Sequence, residues 1–531
     1  MQNSPIMLRR AGVLTTAAAI AYLIVRHFLA VHSWLGRPLD PDEVEYLHAG
    51  WLMHRGLRLY RDFVEDHAPY LFVILKWMVP AGGTAVFPLL DIATYAARAR
   101  IMASTLGILG LGAAAALSYR ASRSIIAPLV TIAAILASWW VWLRGIVQIR
   151  NDPPALFLFW LGALLLLGGW RSERLRFALA GIGIGLVGIS ALWNPKWPLE
   201  SLVLGIVYLV VVWQAFRRGP RMLALAIVPP AVCIIGALAC IVETVSFSDY
   251  FFFTFRFNKL LGDWMAVNPY LTKLTDEAFH HGRAYMFCAP AFKGIWPIIA
   301  IVLTVVLLAI PAVRRRLSDI DAGILWVLLA LAAAATLEIR FLYPYPNVWM
   351  QYYVMWSFIA ACLYGTTAAA VIRLLQSKGA RLTATVAIAL IAVIAVDDAL
   401  PLGASPTEWP VLSYLQKRIR PGETAWSFPN PIGTPDATYY WFATLDLVPF
   451  SIQYAAQHPG ETPLPAIAER DLPICRAERG LQPDLRFVSG NKFLMALPES
   501  RRCFDRIIAA GRAVRTPVPD VWDLHPDPPR Q

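Results

Sequence analysis

Apolar runs long enough to cross a bilayer recur along most of this chain, and they constrain its fold more than any other feature. A helix rises about 1.5 Å per residue, so roughly 20 apolar residues cover the hydrocarbon core of a membrane. Windowed hydropathy predicts helices at 11–31, 98–118, 124–143, 153–170, 177–193, 197–216, 221–244, 293–313, 321–338, 348–372 and 382–398, about eleven spans. Hydrophobic residues make up 58% of the chain and charged residues 15%. Soluble domains hold roughly 45–50% and about 25%, so one water-soluble core could not hide this much apolar surface. The charge gathers at the end: residues 401–531 carry 28 of the 82 Asp, Glu, Lys and Arg. The pattern predicts an α-helical polytopic membrane domain, 1–398, followed by a small water-facing α/β domain, 399–531. In the latter, Glu408–Arg420 and Arg501–Arg512 read as helices and Thr424–Phe428 as a strand. The first apolar run is long, lacks a clear small-residue cleavage site and leads straight into a loop dense in acids, so it reads as a span rather than a cleaved signal.

Basic residues near span ends set the orientation. Arg9 and Arg10, Arg120 and Arg123, Arg171, Arg174 and Arg176, Arg217, Arg218 and Arg221, Arg314 to Arg316, and Arg373, Lys378 and Arg381 all fall on one side. That side is cytoplasmic, the amino terminus with it. An odd number of spans puts the tail outside, periplasmic if this is a bacterial inner membrane. The net charge of +12 is therefore largely topology, and no nucleic-acid partner is expected. Three segments of real length face the exterior: 32–97, 245–292 and 399–531. The first reverses the charge balance, with eight acids against five bases. It contains a helical run from Asp42 to His54 and an eleven-residue apolar segment, Tyr70 to Pro80, too short to span and expected to lie in the interface. Of six cysteines, Cys233, Cys240 and Cys362 sit in apolar runs, and none shows metal-ligand spacing. Cys475 and Cys503 lie in the external tail, where a disulfide can persist; a bond and two free thiols are both open.

The chemistry concentrates just after the first span. Pro38 to Tyr46 brings Asp40, Asp42, Glu43 and Glu45 to the outer surface, and Tyr60 to Tyr70 adds Asp62, Glu65, Asp66 and His67. Acids in a first turn suit the helix dipole whatever their function, but two acidic patches bracketing one short helix can converge on a pocket. Asp152 follows Arg150 and Asn151 and precedes Pro153 at the outer end of the fourth span. A carboxylate at a bilayer centre costs about 2.5–3.5 kcal/mol on insertion scales, a cost that largely vanishes at the interface beside an arginine.

The order of these stretches resembles the C-type glycosyltransferases, in particular protein O-mannosyltransferases and the aminoarabinose and galacturonosyl transferases of lipid A. The matching residues are Asp42-Glu43, Ala49 to Gly56, Tyr60-Arg61-Asp62, Glu65-Asp66-His67-Ala68-Pro69 and Arg150-Asn151-Asp152-Pro153. Asn194 to Trp197 and Arg340 to Tyr353 stand where such proteins place later outer-facing contacts. The resemblance implies transfer of a sugar from a polyprenyl-phosphate donor to a hydroxyl of a lipid, glycan or protein acceptor on the outer side, with inversion. It makes Asp42 the general base, Glu43 its understudy and Asp152 a cavity acid. His67 and Arg340 become donor-phosphate contacts; Lys196 and Arg256, read from their own surroundings, are phosphate contacts or else an interfacial anchor and part of an aromatic belt. Asp62, Glu65, Asp66, His281 and Tyr352 become contacts to sugar, acceptor or a divalent metal, whose need stays open. His67 is followed by Ala-Pro where relatives often have Pro-Pro, and Asp40 and Glu45 are additional acids. The rival reading, a transporter or flippase of a lipid or glycan, would ordinarily show internal repeats and polar groups at the midplane; no repeat is visible, and the polar residues gather at span ends.

Overall fold

The computed structural model describes residues 4–37, 39–80, 89–170, 172–267, 295–311, 315, 317, 319–339, 353–400, 414–415, 417–426, 447–458, 464, 468–489 and 498–525. The chain forms two compact units. The first comprises Met1–Leu35, Ile101–Leu238 and Thr275–Ala404; the second Gly36–Arg100, Ala239–Leu274 and Ser405–Gln531.

The first unit is a helical membrane bundle. Among the described residues of the whole chain, seven helices are long and apolar enough to cross a membrane: Arg10–Leu35, Ile92–Ser122, Glu173–Trp193, Pro198–Arg218, Pro220–Thr244, Tyr353–Leu374 and Lys378–Ala399. Three shorter apolar helices, Asp152–Leu167, Pro297–Ala309 and Ala322–Leu337, fall on further predicted spans. The predicted span 124–143 needs correction. Helix Ile126–Leu136 stops at Ala137, and the chain bends 90° into Trp139–Val147. The helix resumes at Trp139 in a new direction, and hydropathy registers only that both arms are apolar.

Helix Tyr353–Leu374 is enclosed by its neighbours, 72% of its most apolar stretch being buried, whereas Pro220–Thr244 is only 17% buried. The exposed Val228, Val232, Ile235 and Val242 of the latter are at home against lipid. Small residues let backbones meet. A Cβ on Gly162 would lie 2.5 Å from the Gly183 carbonyl oxygen, and one on Gly365 would lie 2.3 Å from that of Ala127. Arg26 ties the first helix to the last by donating to Asp397 Oδ1 at 2.7 Å.

In the second unit, helix Pro41–His54 packs on Tyr70–Met78. A Cβ on Gly50 would lie 2.6 Å from both Leu75 Cβ and Tyr95 Oη, and that hydroxyl donates to the Leu75 carbonyl at 3.0 Å. Nine-residue Tyr70–Met78 buries Tyr70, Leu71, Phe72 and Leu75 and leaves Trp77 79% exposed beside Lys76, the pattern expected of an interfacial helix. The tail carries a mixed sheet of β1 (Thr424–Trp426), β2 (Leu485–Ser489), β3 (Val514–Arg515) and β4 (Val521–Asp523), in the order β1-β2-β4-β3. β1 and β2 are parallel; β4 runs antiparallel to both β2 and β3. Leu415, Ile419, Ala425, Phe487, Val518 and Val521 form its core. Buried Arg486 is neutralised by Glu423 at 3.0 Å and Asp523 at 3.3 Å. The predicted helix at Arg501–Arg512 is found as Pro498–Ala509, and most of Glu408–Arg420 lies outside the described residues. Cys475 and Cys503 form a disulfide that joins Pro473–Glu478 to Pro498–Ala509.

Candidate active site

Each unit contains one centre built from the residues singled out in the sequence. In the second unit, Asp40 caps helix Pro41–His54: its Oδ1 accepts the Asp42 N–H at 3.1 Å, and Glu43 Oε2 accepts the Asp40 N–H at 3.0 Å. The reciprocal capping box fixes the first turn and with it the position of half-buried Asp42. Glu43 is fully buried. Arg100 Nε donates to its Oε1 at 3.0 Å, Arg100 Nη2 donates to its Oε2, and Arg100 Nη1 reaches the Arg37 carbonyl at 2.8 Å. Both Glu43 oxygens are thus engaged with an arginine that is itself buried, which makes Glu43 a brace for the turn that carries Asp42. Arg100 escaped the sequence reading, although a charged residue inside an otherwise apolar helix is a signal of its own.

Fifteen to twenty-five residues on, the chain turns through Gly56 (φ +91°) and Tyr60, whose φ of +66° is uncommon for a side chain of that size. Strain of this kind persists where surroundings over-determine it. The Tyr60 ring stacks on Phe253 at 4.7 Å, and its hydroxyl donates to the His67 carbonyl. Asn258 Nδ2 donates to the Asp66 carbonyl at 2.7 Å. Held this way, His67 Nδ1 lies 2.7 Å from Glu65 Oε1 and 2.9 Å from Asp66 Oδ1, and its Nε2 lies 3.1 Å from Tyr46 Oη. Burial works against charge on the imidazole, but the two carboxylates outweigh it and hold His67 up to about 10. For Asp66 burial is likewise overcome, and His67 keeps it below the ordinary carboxylate value; for buried Glu65 desolvation wins and the value rises. Ligand atoms of Glu45, Glu65, Asp66 and His67 all lie within 4.8 Å of one another, close enough to surround a cation. The positive charge among these acids is the imidazolium itself, with both ring nitrogens engaged. Asp62 serves the loop, accepting the Arg58 N–H at 2.7 Å. Arg256 lies exposed in the π-helical turn Phe252–Phe257.

In the first unit, the close approach at Gly162 and Gly183 aligns Asp152–Leu167 with Glu173–Trp193 as an antiparallel pair, which brings the end of one to the start of the other. Asp152, fully buried at the head of its helix, receives Arg150 Nε at 3.2 Å on Oδ2, and Asn194 Nδ2 at 3.1 Å and Lys196 Nζ at 3.3 Å on Oδ1. Trp193 Nε1 donates to Asn151 Oδ1 at 3.1 Å, completing the join. One buried carboxylate thus gathers an arginine and a lysine, with Lys196 partly open at 13% exposure. The sequence reading picked Asp152 and Lys196 and placed Asn194 in the outer-facing stretch Asn194 to Trp197, without pairing it to Asp152. Arg340, His281 and Tyr352 lie outside the described residues.

No protein-family model matches the chain, and no curated protein matches it in sequence. The fold does match. ArnT from Cupriavidus metallidurans, solved bound to undecaprenyl phosphate, aligns with a TM-score of 0.50 at 15% identity over 79% of this chain and 84% of its own. The apo oligosaccharyltransferase of Archaeoglobus fulgidus aligns at a TM-score of 0.39 and 14% identity, over 75% of this chain and 58% of its own. The chain thus shares its overall fold with the ArnT structure. The shared architecture is that of a multi-pass helical membrane protein.

Proposed function

We propose that the protein is a membrane glycosyltransferase that moves a sugar from a polyprenyl phosphate to a hydroxyl of a lipid, glycan or protein, with inversion, on the outer face of a bacterial-type inner membrane. The amino terminus is then cytoplasmic and the disulfide-bonded tail periplasmic. The observation that carries the reading is the Asp152 centre: a buried carboxylate that gathers Arg150 and Lys196, in a fold whose solved counterpart was crystallised with undecaprenyl phosphate. An arginine and a lysine held at one point suit a phosphate, and Lys196 is the member open enough to meet one. Asp42 takes the acceptor proton as the oxygen attacks the anomeric carbon, and the sugar–phosphate bond breaks with its electron pair leaving on the phosphate. Glu43 and Arg100 hold the Asp42 turn. His67, kept protonated by Glu65 and Asp66, supplies positive charge toward a leaving phosphate. Arg256, Arg340, Asp62, His281 and Tyr352 complete the proposed contacts to donor and acceptor.

The test is transfer from radiolabelled polyprenyl-phosphate sugars in membranes, wild type against Asp42→Asn at matched expression. Removing a general base should cost about 10²–10⁴-fold in rate. Label entering an acceptor with wild type alone supports the reading and names the sugar. Equal transfer by both forms removes Asp42 as the base, and no transfer from any donor removes the glycosyltransferase reading.

A further inference from the structure

Both centres above set acids against their cations. The opposite end of the first unit gathers cations without that balance. Arg120 Nη2 donates to the Gly169 carbonyl at 3.1 Å, so helix Ile92–Ser122 finishes where Asp152–Leu167 does, one 16-residue helix and about 24 Å from Asp152. Three arginines meet there. Arg373, in the last turn of Tyr353–Leu374, donates from Nη2 to the Arg123 carbonyl at 2.9 Å, and Arg381 Nη2 donates to the Arg373 carbonyl at 3.0 Å. Arg381 Nε donates to the Leu375 carbonyl at 2.7 Å. Arg123 holds a left-handed backbone (φ +53°) with its side chain exposed. Backbone carbonyls satisfy donors but cancel no charge. Arg373 Nη1 has no acceptor at all. Among the described residues none of the three arginines forms an ion pair, and Asp319 acts on Arg373 only from beyond that range.

Beside the arginines lies a cavity of about 550 Å³, lined by Leu307, Leu308, Leu317, Ile320 and Leu325, with Arg315 also in its wall. Its lining residues Ile320 and Ala322 flank Asp321, whose N–H donates at 2.8 Å to the Ala121 carbonyl, two residues before Arg123. Helix Tyr353–Leu374, otherwise enclosed, exposes the large apolar side chain of Val371 two residues before Arg373. Cations and cavity together suit one amphiphile. A guanidinium grips a phosphate with two parallel donors, and the cavity suits a hydrocarbon chain. Free phosphate would leave the cavity unfilled, and a zwitterionic lipid would bring a further cation to a cationic spot. Basic pockets between membrane helices take anionic headgroups for these reasons. We propose that Arg123, Arg373, Arg381 and the adjoining cavity bind one anionic phospholipid, its phosphate at the arginines and an acyl chain in the cavity. The site does not depend on the glycosyltransferase reading.

The experiment titrates delipidated full-length protein in detergent with phosphatidylglycerol or phosphatidylcholine and counts retained lipid by native mass spectrometry. The wild type should hold one phosphatidylglycerol saturably and phosphatidylcholine far more weakly, and a large excess of inorganic phosphate should not displace the lipid. Each arginine lost from the cluster should weaken binding about fivefold. Arg123→Asn tests this without disturbing the fold, because asparagine accepts the left-handed backbone and the carbonyl that Arg373 uses remains. Arg373→Gln should weaken binding likewise, whereas Arg217→Gln, at an exposed position ending helix Pro198–Arg218, should leave it unchanged. Equal retention of the two lipids, or displacement by inorganic phosphate, overturns the proposal. So does wild-type affinity in Arg123→Asn, and so does an equal loss in Arg217→Gln, which would mean a general attraction of basic surface to anionic lipid.

Discussion

The Asp152 centre and the His67 centre solve the same problem by different means. Each buries acid beside base, but the first uses an arginine and a lysine, with Asn194 as a neutral fourth member, while the second depends on one imidazole shared by two carboxylates. Arginine and lysine are charged throughout the ordinary pH range; an imidazole carries its proton at neutral pH only because its neighbours hold it there. The cations of the first centre are fixed, and that of the second is one the protein maintains conditionally. The difference separates a site built to receive an anion from one whose charge answers to its environment.

The largest effect comes from removing the acid of the fixed centre. Asp152→Asn removes the carboxylate that Arg150 and Lys196 share in the interior. Breaking a buried pair from one side typically costs about 3–5 kcal/mol, and denaturant unfolding in detergent should show a loss of that size. Lys196→Met, which leaves Arg150 paired with Asp152, should cost clearly less. Equal stability of Asp152→Asn and wild type would mean that the cations are balanced elsewhere, and the contrast between the centres would collapse.

At the conditional centre the cation should matter more than the ring. His67→Gln keeps a hydrogen-bonding side chain without charge and should lower transfer by about 10²-fold, the scale seen when one stabilising donor is lost. His67→Lys restores a cation and should recover most of it. A Gln variant as active as wild type would show that His67 works through shape alone.

The same substitution reads out pH. His67 is raised to about 10 in the folded protein, against 6.5 ordinarily, so the folded state holds its proton where the unfolded chain has lost it. The stability this contributes is complete below about pH 6.5, declines as pH climbs above that value and is gone beyond about 10. Asp66, held below its ordinary 3.8, contributes stability that is present above that value and lost as pH falls through its lowered one. Between pH 7 and 9 amide exchange around Glu65 to His67, corrected for its intrinsic rate, should therefore lose protection, while amides around Asp152 keep theirs. In His67→Lys the loss should disappear over this interval, since a lysine stays protonated in both folded and unfolded chains. Parallel loss at both centres would remove the distinction between fixed and conditional charge.

Much of this was legible in the sequence, for identifiable reasons. Hydropathy locates spans because membrane helices must be apolar over a set length, and every segment so predicted has a helix in it. It could not locate the 90° bend at Ala137, since apolar residues score alike on either side of a bend. Asp152 and His67 stood out because ionisable groups near apolar runs are costly and therefore noticeable. Arg100 was missed as the partner of Glu43, because what matters in it is pairing across 57 residues. No local pattern encodes such pairing; it comes from how helices pack.

The smallest effect separates the neutral members of the two centres. Asn194 and Tyr46 each make a hydrogen bond to the central ionised group, Asn194 to Asp152 at 3.1 Å and Tyr46 to His67 at 3.1 Å. Removing either bond, by Asn194→Ala or Tyr46→Phe, should cost about 1 kcal/mol, somewhat more if the abandoned group stays dry. The comparison predicts different consequences for equal costs. Asp152 keeps Arg150 and Lys196 when Asn194 is lost, so the penalty in Asn194→Ala should be flat between pH 7 and 9. When Tyr46 loses its hydroxyl, the imidazolium gives up the acceptor at Nε2 that favours its charged form, so His67 should release its proton at lower pH. The loss of amide protection around Glu65 to His67 should then begin earlier on the alkaline side in Tyr46→Phe than in wild type. An unshifted onset would mean that the two carboxylates alone keep the proton on His67 and that Tyr46 only fills space beside the ring.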